Sequence, residues 1–177
     1  MSRVFGVGFE VPAPYGDQLH AMRVRLGDPS ARLMPPHVTL LPPTRVSDDA
    51  FVGVVLHLEQ VARSSPSFEV GLRGAATFRP VTPTVFVPLS TGLDSCERLE
   101  ELVRTGPLRR RLPFPYHPHV TVAYELPAEV LDAAMTGLDG FAADFFVDAF
   151  GLYEADDAGV WQSVQRFPLT ATSREGA

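Results

Sequence analysis

Lysine, isoleucine and asparagine are absent from this 177-residue chain. All three use A/T-rich codons, so their joint absence reads as a GC-rich coding bias rather than as chemistry. It still has a chemical consequence. No lysine serves as a base, a Schiff-base former or a phosphate anchor, and every one of the 15 basic residues is arginine, whose planar fork suits phosphate geometry. The single cysteine, Cys96, excludes a disulfide framework and a cysteine-built metal site; it reads as a small apolar residue on a helix. No apolar run approaches a membrane span. The opening strand-like stretch, Val4 to Phe9, is too short for a signal-peptide core and is cut off by Glu10. The expected location is the cytoplasm. A basic surface is missing too, since the formal net charge is −6, where a protein tracking a long nucleic-acid backbone is usually basic. The densest basic run, Arg109-Arg110-Arg111, reads either as a solvated segment or as a local patch drawing in a phosphate. The balance favours a small nucleotide or an RNA end over an extended duplex.

The chain is long enough for one compact domain with a real core, expected over residues 1–170, with a flexible tail at 171–177. Within it lies a degenerate repeat, about 1–83 and 84–170. Strand-like Val4–Phe9 is followed by helical spacing at Tyr15, Leu19, Met22 and Leu26. Strand-like Val85–Leu89 is followed by the same spacing at Leu93, Cys96, Leu99 and Val103. Gly27 and Gly106 punctuate the two ends. A second helix in each half is predicted over Ser47 to about Arg63, with Phe51, Val55, Leu58 and Ala62 on its apolar face, and over Pro127 to about Leu138. Strands are expected at Phe68–Leu72 and Phe146–Phe150. A closing hairpin around Asp156-Asp157-Ala158-Gly159 would join Gly151–Tyr153 to Val160–Phe167, with Trp161 in its core. The fold class is α+β, with two lobes of mainly antiparallel sheet related by a pseudo-twofold axis, flanking helices, and a cleft between the lobes.

The most informative feature is a motif written twice. Pro36-His37-Val38-Thr39-Leu40 recurs as Pro118-His119-Val120-Thr121-Val122. On a strand, residues i and i+2 share a face. His37 and Thr39 therefore point one way and Val38 and Leu40 the other, and the second copy behaves alike. The prolines before each motif bias the chain to be extended. Two imidazoles can give and take protons near neutral pH, and two hydroxyls can hold an anion. A lone His-x-Thr signifies little. Two copies at matching repeat positions keep both polar types on one face, for which strand packing alone supplies no reason.

These residues resemble the paired signatures of the 2H phosphoesterase superfamily, closest to its bacterial branch of 2′-5′ RNA ligase-like, or cyclic phosphodiesterase-like, proteins. The likeness runs over about residues 4–170, and Phe78-Arg79-Pro80 resembles a loop of that branch. The resemblance implies His37 and His119 as an acid–base pair, Thr39 and Thr121 as phosphate holders, and no metal or other cofactor. It implies hydrolysis of 2′,3′-cyclic phosphates or 2′-5′ linkages in RNA ends or small nucleotides. It does not say which histidine is acid and which is base. Arg79, Tyr116, Tyr124 and Phe9 are further candidates for substrate contact, each equally readable as loop solvation or wall packing. His117 is expected to point away from the cleft, and His20 and His57 to lie on the surface. A monomer with no membrane partner is expected. Two other readings are a nucleotide- or RNA-end-binding module without turnover and a metal hydrolase built on His37, His117 and His119. The second lacks any carboxylate at a familiar ligand spacing.

Overall fold

The structure, a computed structural model, describes residues 2–171. The expected tail therefore falls, Ala171 apart, outside the described residues. The chain runs β1 (Ser2–Glu10), α1 (Tyr15–Arg25), β2 (His37–Ser47), α2 (Asp48–Ser64), β3 (Phe68–Arg73), β4 (Ala76–Thr77) and β5 (Thr84–Thr91). It continues through α3 (Leu93–Val103), β6 (His119–Tyr124), α4 (Ala128–Gly137), β7 (Ala142–Val147), β8 (Ala149–Ala155) and β9 (Trp161–Pro168). Each predicted helix forms. Along α3, Cys96, Leu99 and Val103 are buried, as their spacing requires. On α2 the buried face is Val54, Leu58, Val61 and Ala62, with Phe51 and Val55 at its edge, so the helix is turned from the expected orientation. Asp48 and Asp49 occupy its first turn and Arg63 its last, each complementing the helix dipole.

The strands form one curled sheet in the order β7-β3-β5-β6-β2-β1-β8-β9, with β4 also on β5. The pairings between named strands are antiparallel. Two lobes meet where β2 pairs with β6: β1, β2, β8 and β9 on one side, and β3, β5, β6 and β7 with the short β4 on the other. The lobes do not coincide with the halves of the sequence. Strand β3, from the first half, joins β5 and β6, while β8 and β9, from the second half, join β1 and β2. Helices cross over as well: α1 contacts β6, and α3 contacts β2. Each motif strand is thus packed by a helix from the opposite half.

One expected strand, Phe146–Phe150, is really two. Val147 pairs with Phe68 at the end of β7, and Ala149 opens β8, which pairs with β9 and β1. Asp148 is the exposed residue between them, ion-paired with Arg166 at 2.7 Å. The in–out alternation runs on through Asp148 while the ladder partners change lobe, so periodicity alone could not reveal the break.

Strand β1 lies tight against β2. Gly8 is opposite Thr39, and a Cβ on Gly8 would come within 2.6 Å of the Val38 carbonyl oxygen, so only glycine fits. Further along, the β1–β2 register shifts where β2 carries Pro42 and Pro43, which have no ladder donors to offer. Val38, Leu40, Val120 and Val122 all enter the central core, which leaves the opposite face of β2 and β6 free for polar groups.

Candidate active site

Where β2 meets β6, Val38 pairs with Val120, and both are fully buried. Antiparallel pairing at that point sets His37 beside Thr121 and Thr39 beside His119, and all four project to the face away from the core. They line a single cavity of about 390 Å³, with Arg23, Phe78, Tyr124 and Trp161 among its other walls.

Each histidine is oriented by the chain just before it. His37 Nδ1 lies 2.8 Å from the Pro35 carbonyl oxygen, and His119 Nδ1 lies 2.6 Å from that of His117. Carbonyl oxygens only accept, so Nδ1 carries the proton in both neutral rings, which leaves the lone pair on Nε2. An intervening proline stands in both copies, Pro36 and Pro118; its fixed φ helps hold the carbonyl two residues back against the ring. Burial lowers both proton affinities. For His37, burial dominates, opposed by the Pro35 carbonyl, and the charges of Arg23 and His119 push further in the same direction as burial, to about 4. His119 is lowered by burial first, against the support of the His117 carbonyl, with the His117 ring adding to the fall.

This has a consequence for stability. Folded His37 holds its proton less tightly than the unfolded chain, where imidazole titrates near 6.5. Between those values the unfolded state binds more protons. Stability is therefore unaffected by this group above pH 6.5 and is lost as pH falls from about 6.5 toward about 4, by on the order of 3 kcal/mol. In urea unfolding at the two ends of this window, His37→Gln is expected to show a smaller loss than the wild type. Equal losses in the two proteins would contradict the assignment.

Arg23 was not among the sequence candidates. Its side chain is only 7% exposed and ion-pairs through Nε with Asp28 Oδ2 at 3.0 Å, where Asp28 is 2% exposed. Nη1 donates to the Met34 carbonyl at 2.8 Å and Nη2 to Ser30 Oγ at 2.9 Å. Asp28 Oδ1 in turn accepts from the Ser30 backbone N–H and hydroxyl. Three of the five guanidinium N–H groups are thus spoken for, and the cation sits rigidly in the wall beside His37. One signal was available: Arg23 stands four residues after Leu19 and so shares the buried face of α1.

Two aromatic walls were also unforeseen as such. Phe78 stacks on Phe86 at 4.1 Å between centroids and meets the His119 ring edge-on at 5.1 Å. Trp161, expected in the hairpin core, instead lines the cavity and covers Gly6, where a Cβ would come within 3.1 Å of its ring. Its backbone N–H donates to the Leu33 carbonyl, tying the hairpin to the approach of the first motif.

Tyr124 stands on the cavity wall. Tyr116 lines an adjoining cavity, while its hydroxyl donates to the Thr39 carbonyl at 2.8 Å and lies 3.3 Å from Cys96 Sγ. It clips the approach to the second motif onto the first, and burial pushes its phenol well up. Arg79 is not brought to the histidines; it ion-pairs with Asp132 on α4 at 2.8 Å. Nor is Phe9, which is buried in the core with its ring edge-on to Phe68. The His117 ring is not turned away from the site but packs on Phe78 and Phe86, its centroid 6.0 Å from that of His119. Of the arginine run, Arg110 is anchored to Thr44 Oγ1 and the Pro43 carbonyl, and none of the three lines the cavity of the histidines. Among the described residues, no three His, Cys, Asp or Glu side chains converge as a metal-binding set, and no helix is long and apolar enough to cross a membrane.

The sequence model of the 2′-5′ RNA ligase superfamily matches residues 11–159. Over 167 residues the chain is 26% identical to a protein of Oceanobacillus iheyensis described as a candidate phosphoesterase, an alignment spanning 93% of this chain and 97% of that one. Among solved structures, E. coli LigT complexed with 3′-AMP superposes with a TM-score of 0.75 at 21% identity, covering 96% of this chain and 99% of LigT. The same protein complexed with ATP gives 0.72 at 21% identity and the same coverage. The doubled motif, the curled two-lobed sheet and the match over most of the length agree: this chain belongs to the 2′-5′ RNA ligase superfamily, the 2H phosphoesterases.

Proposed function

We propose that this protein is a metal-independent cytoplasmic phosphodiesterase that opens 2′,3′-cyclic phosphates, or cleaves 2′-5′-type diesters, on small nucleotides or RNA ends. The observation that carries the reading is the convergence of His37, Thr39, His119 and Thr121 on one cavity, with both imidazoles holding their lone pair on Nε2. LigT, of like fold, has been captured with 3′-AMP and with ATP, which supports a nucleotide as the ligand.

The surroundings support a division of roles. Arg23, a fixed cation beside His37, opposes an imidazolium there, so His37 serves as the base. His119 lacks that neighbour: burial and the His117 ring lower its proton affinity, and no guanidinium charge adds to them. A bound phosphate anion raises its proton affinity, so His119 serves as the acid. His37 Nε2 takes a proton from water as the water oxygen bonds to phosphorus. The bond from phosphorus to the 3′-oxygen breaks, and His119 protonates that oxygen, leaving a 2′-phosphate. The Thr39 and Thr121 hydroxyls and the spare N–H groups of Arg23 stabilise the charge growing on the non-bridging oxygens.

The test is incubation with adenosine 2′,3′-cyclic phosphate in excess chelator, followed by phosphorus NMR. Conversion to the 2′-monophosphate is the expected result. Tight binding of the nucleotide with no turnover of cyclic or 2′-5′-linked esters would instead identify a binding module, and turnover lost to the chelator would remove the metal-independent mechanism.

A further inference from the structure

A second cavity, of about 410 Å³, adjoins the first and is nearly its equal in size. Thr39, Phe78 and His119 line both, so the two hollows flank one reaction centre. Their linings differ in chemistry. The second is walled largely by apolar and aromatic groups, and no arginine contributes to it. Its one ionisable carboxyl, Glu100, is buried and bound to Arg104. Val81 and Phe114, which are 70% and 62% exposed, are among its lining residues and are reachable from solvent.

From this we infer that the second cavity is a substrate subsite for the uncharged aromatic arm of an acyclic phosphodiester. The inference rests on the phosphodiesterase reading above and narrows it. With phosphorus held between the histidines, a diester has two organic arms, and each hollow takes one. Apart from His117 and the reacting His119 the wall holds no basic side chain, and a buried carboxyl stands in it, so it offers little to a further phosphate and the arm placed there ends without one: a terminal nucleoside or an aryl alcohol, not a continuing RNA strand. The aromatic rings supply stacking in place of charge.

The experiment compares kcat/KM for thymidine 5′-(4-nitrophenyl phosphate), which has two large arms, with that for adenosine 2′,3′-cyclic phosphate, whose ring closes the second arm onto the first nucleoside. Wild type, Phe114→Ala and Val81→Glu are assayed; both positions are exposed, and thermal unfolding confirms that the variants fold. The expected result is a fall of about tenfold or more in the aryl-to-cyclic ratio in each variant, carried by KM for the aryl ester, as loss of one stacking or apolar wall predicts. A ratio unchanged within about twofold in both variants would overturn the subsite, as would a wild type that opens the cyclic ester and ignores the aryl diester. A wild type inactive on both esters would remove the phosphodiesterase reading itself, and the subsite with it.

Discussion

His119→Ala is expected to lower kcat/KM for a 2′,3′-cyclic nucleotide by roughly 10²–10⁴-fold and to cost much less on a 4-nitrophenyl diester, whereas His37→Ala loses activity on both. The reason lies in what each proton is for. A sugar oxygen leaves badly as an alkoxide and needs a donor in the transition state; nitrophenolate leaves well without one. Water must be deprotonated in either reaction, so the base is required for both. The expected asymmetry rests on the proposed division of roles, with the Arg23 charge acting on His37 and not among the influences on His119. Steady-state assays of both variants on both esters measure it. The opposite pattern would exchange the roles, and near-wild-type activity of both variants on the cyclic ester would end the two-histidine mechanism.

The largest expected change in stability is at Arg23. Arg23→Met keeps much of the stem and removes the cation, which strands the Asp28 carboxylate in a site where 2% of its side chain meets solvent. Breaking a buried ion pair from one side typically destabilises by about 3–5 kcal/mol. Urea unfolding should show a loss of that order. The double variant Arg23→Met/Asp28→Asn should recover part of it, because no uncompensated charge then remains buried. A loss below about 1 kcal/mol in the single variant would mean that the pair is hydrated and not the rigid wall inferred here. Where the protein remains folded, the variant also removes the charge that disfavours an imidazolium at His37, so the acid side of the rate profile should move to higher pH.

The local layer of the fold was readable along the chain. Helical spacing located α1 and α3 almost to the residue, and most of the strands were located too, β4 and the first part of β7 excepted, because the helical and strand periodicities both come from backbone geometry within a few residues. The errors lie where distant segments decide. Phe146–Phe150 alternates as one strand, yet its two ends pair in different lobes. Phe51 and Val55 look like core but sit at its edge, because the surface that α2 meets, not α2 itself, selects which residues are buried. Arg79 has a phosphate-binder's chemistry and is spent on Asp132, while Arg23, unremarkable in a helix, lines the cavity.

Taken alone, the order of residues determined the chemistry on offer: two imidazoles and two hydroxyls, each pair on one face of a strand, each histidine set two residues after a carbonyl by an intervening proline. Spacing of two is enforced by the pleat and needs no partner. Tertiary structure decided that the two strands lie side by side at Val38 and Val120, that a buried guanidinium distinguishes one histidine from the other, and that a second, arginine-free hollow opens beside the first. Those outcomes depend on contacts between segments tens of residues apart, whose register and burial are set by the packing of the whole core and leave no local periodicity to read.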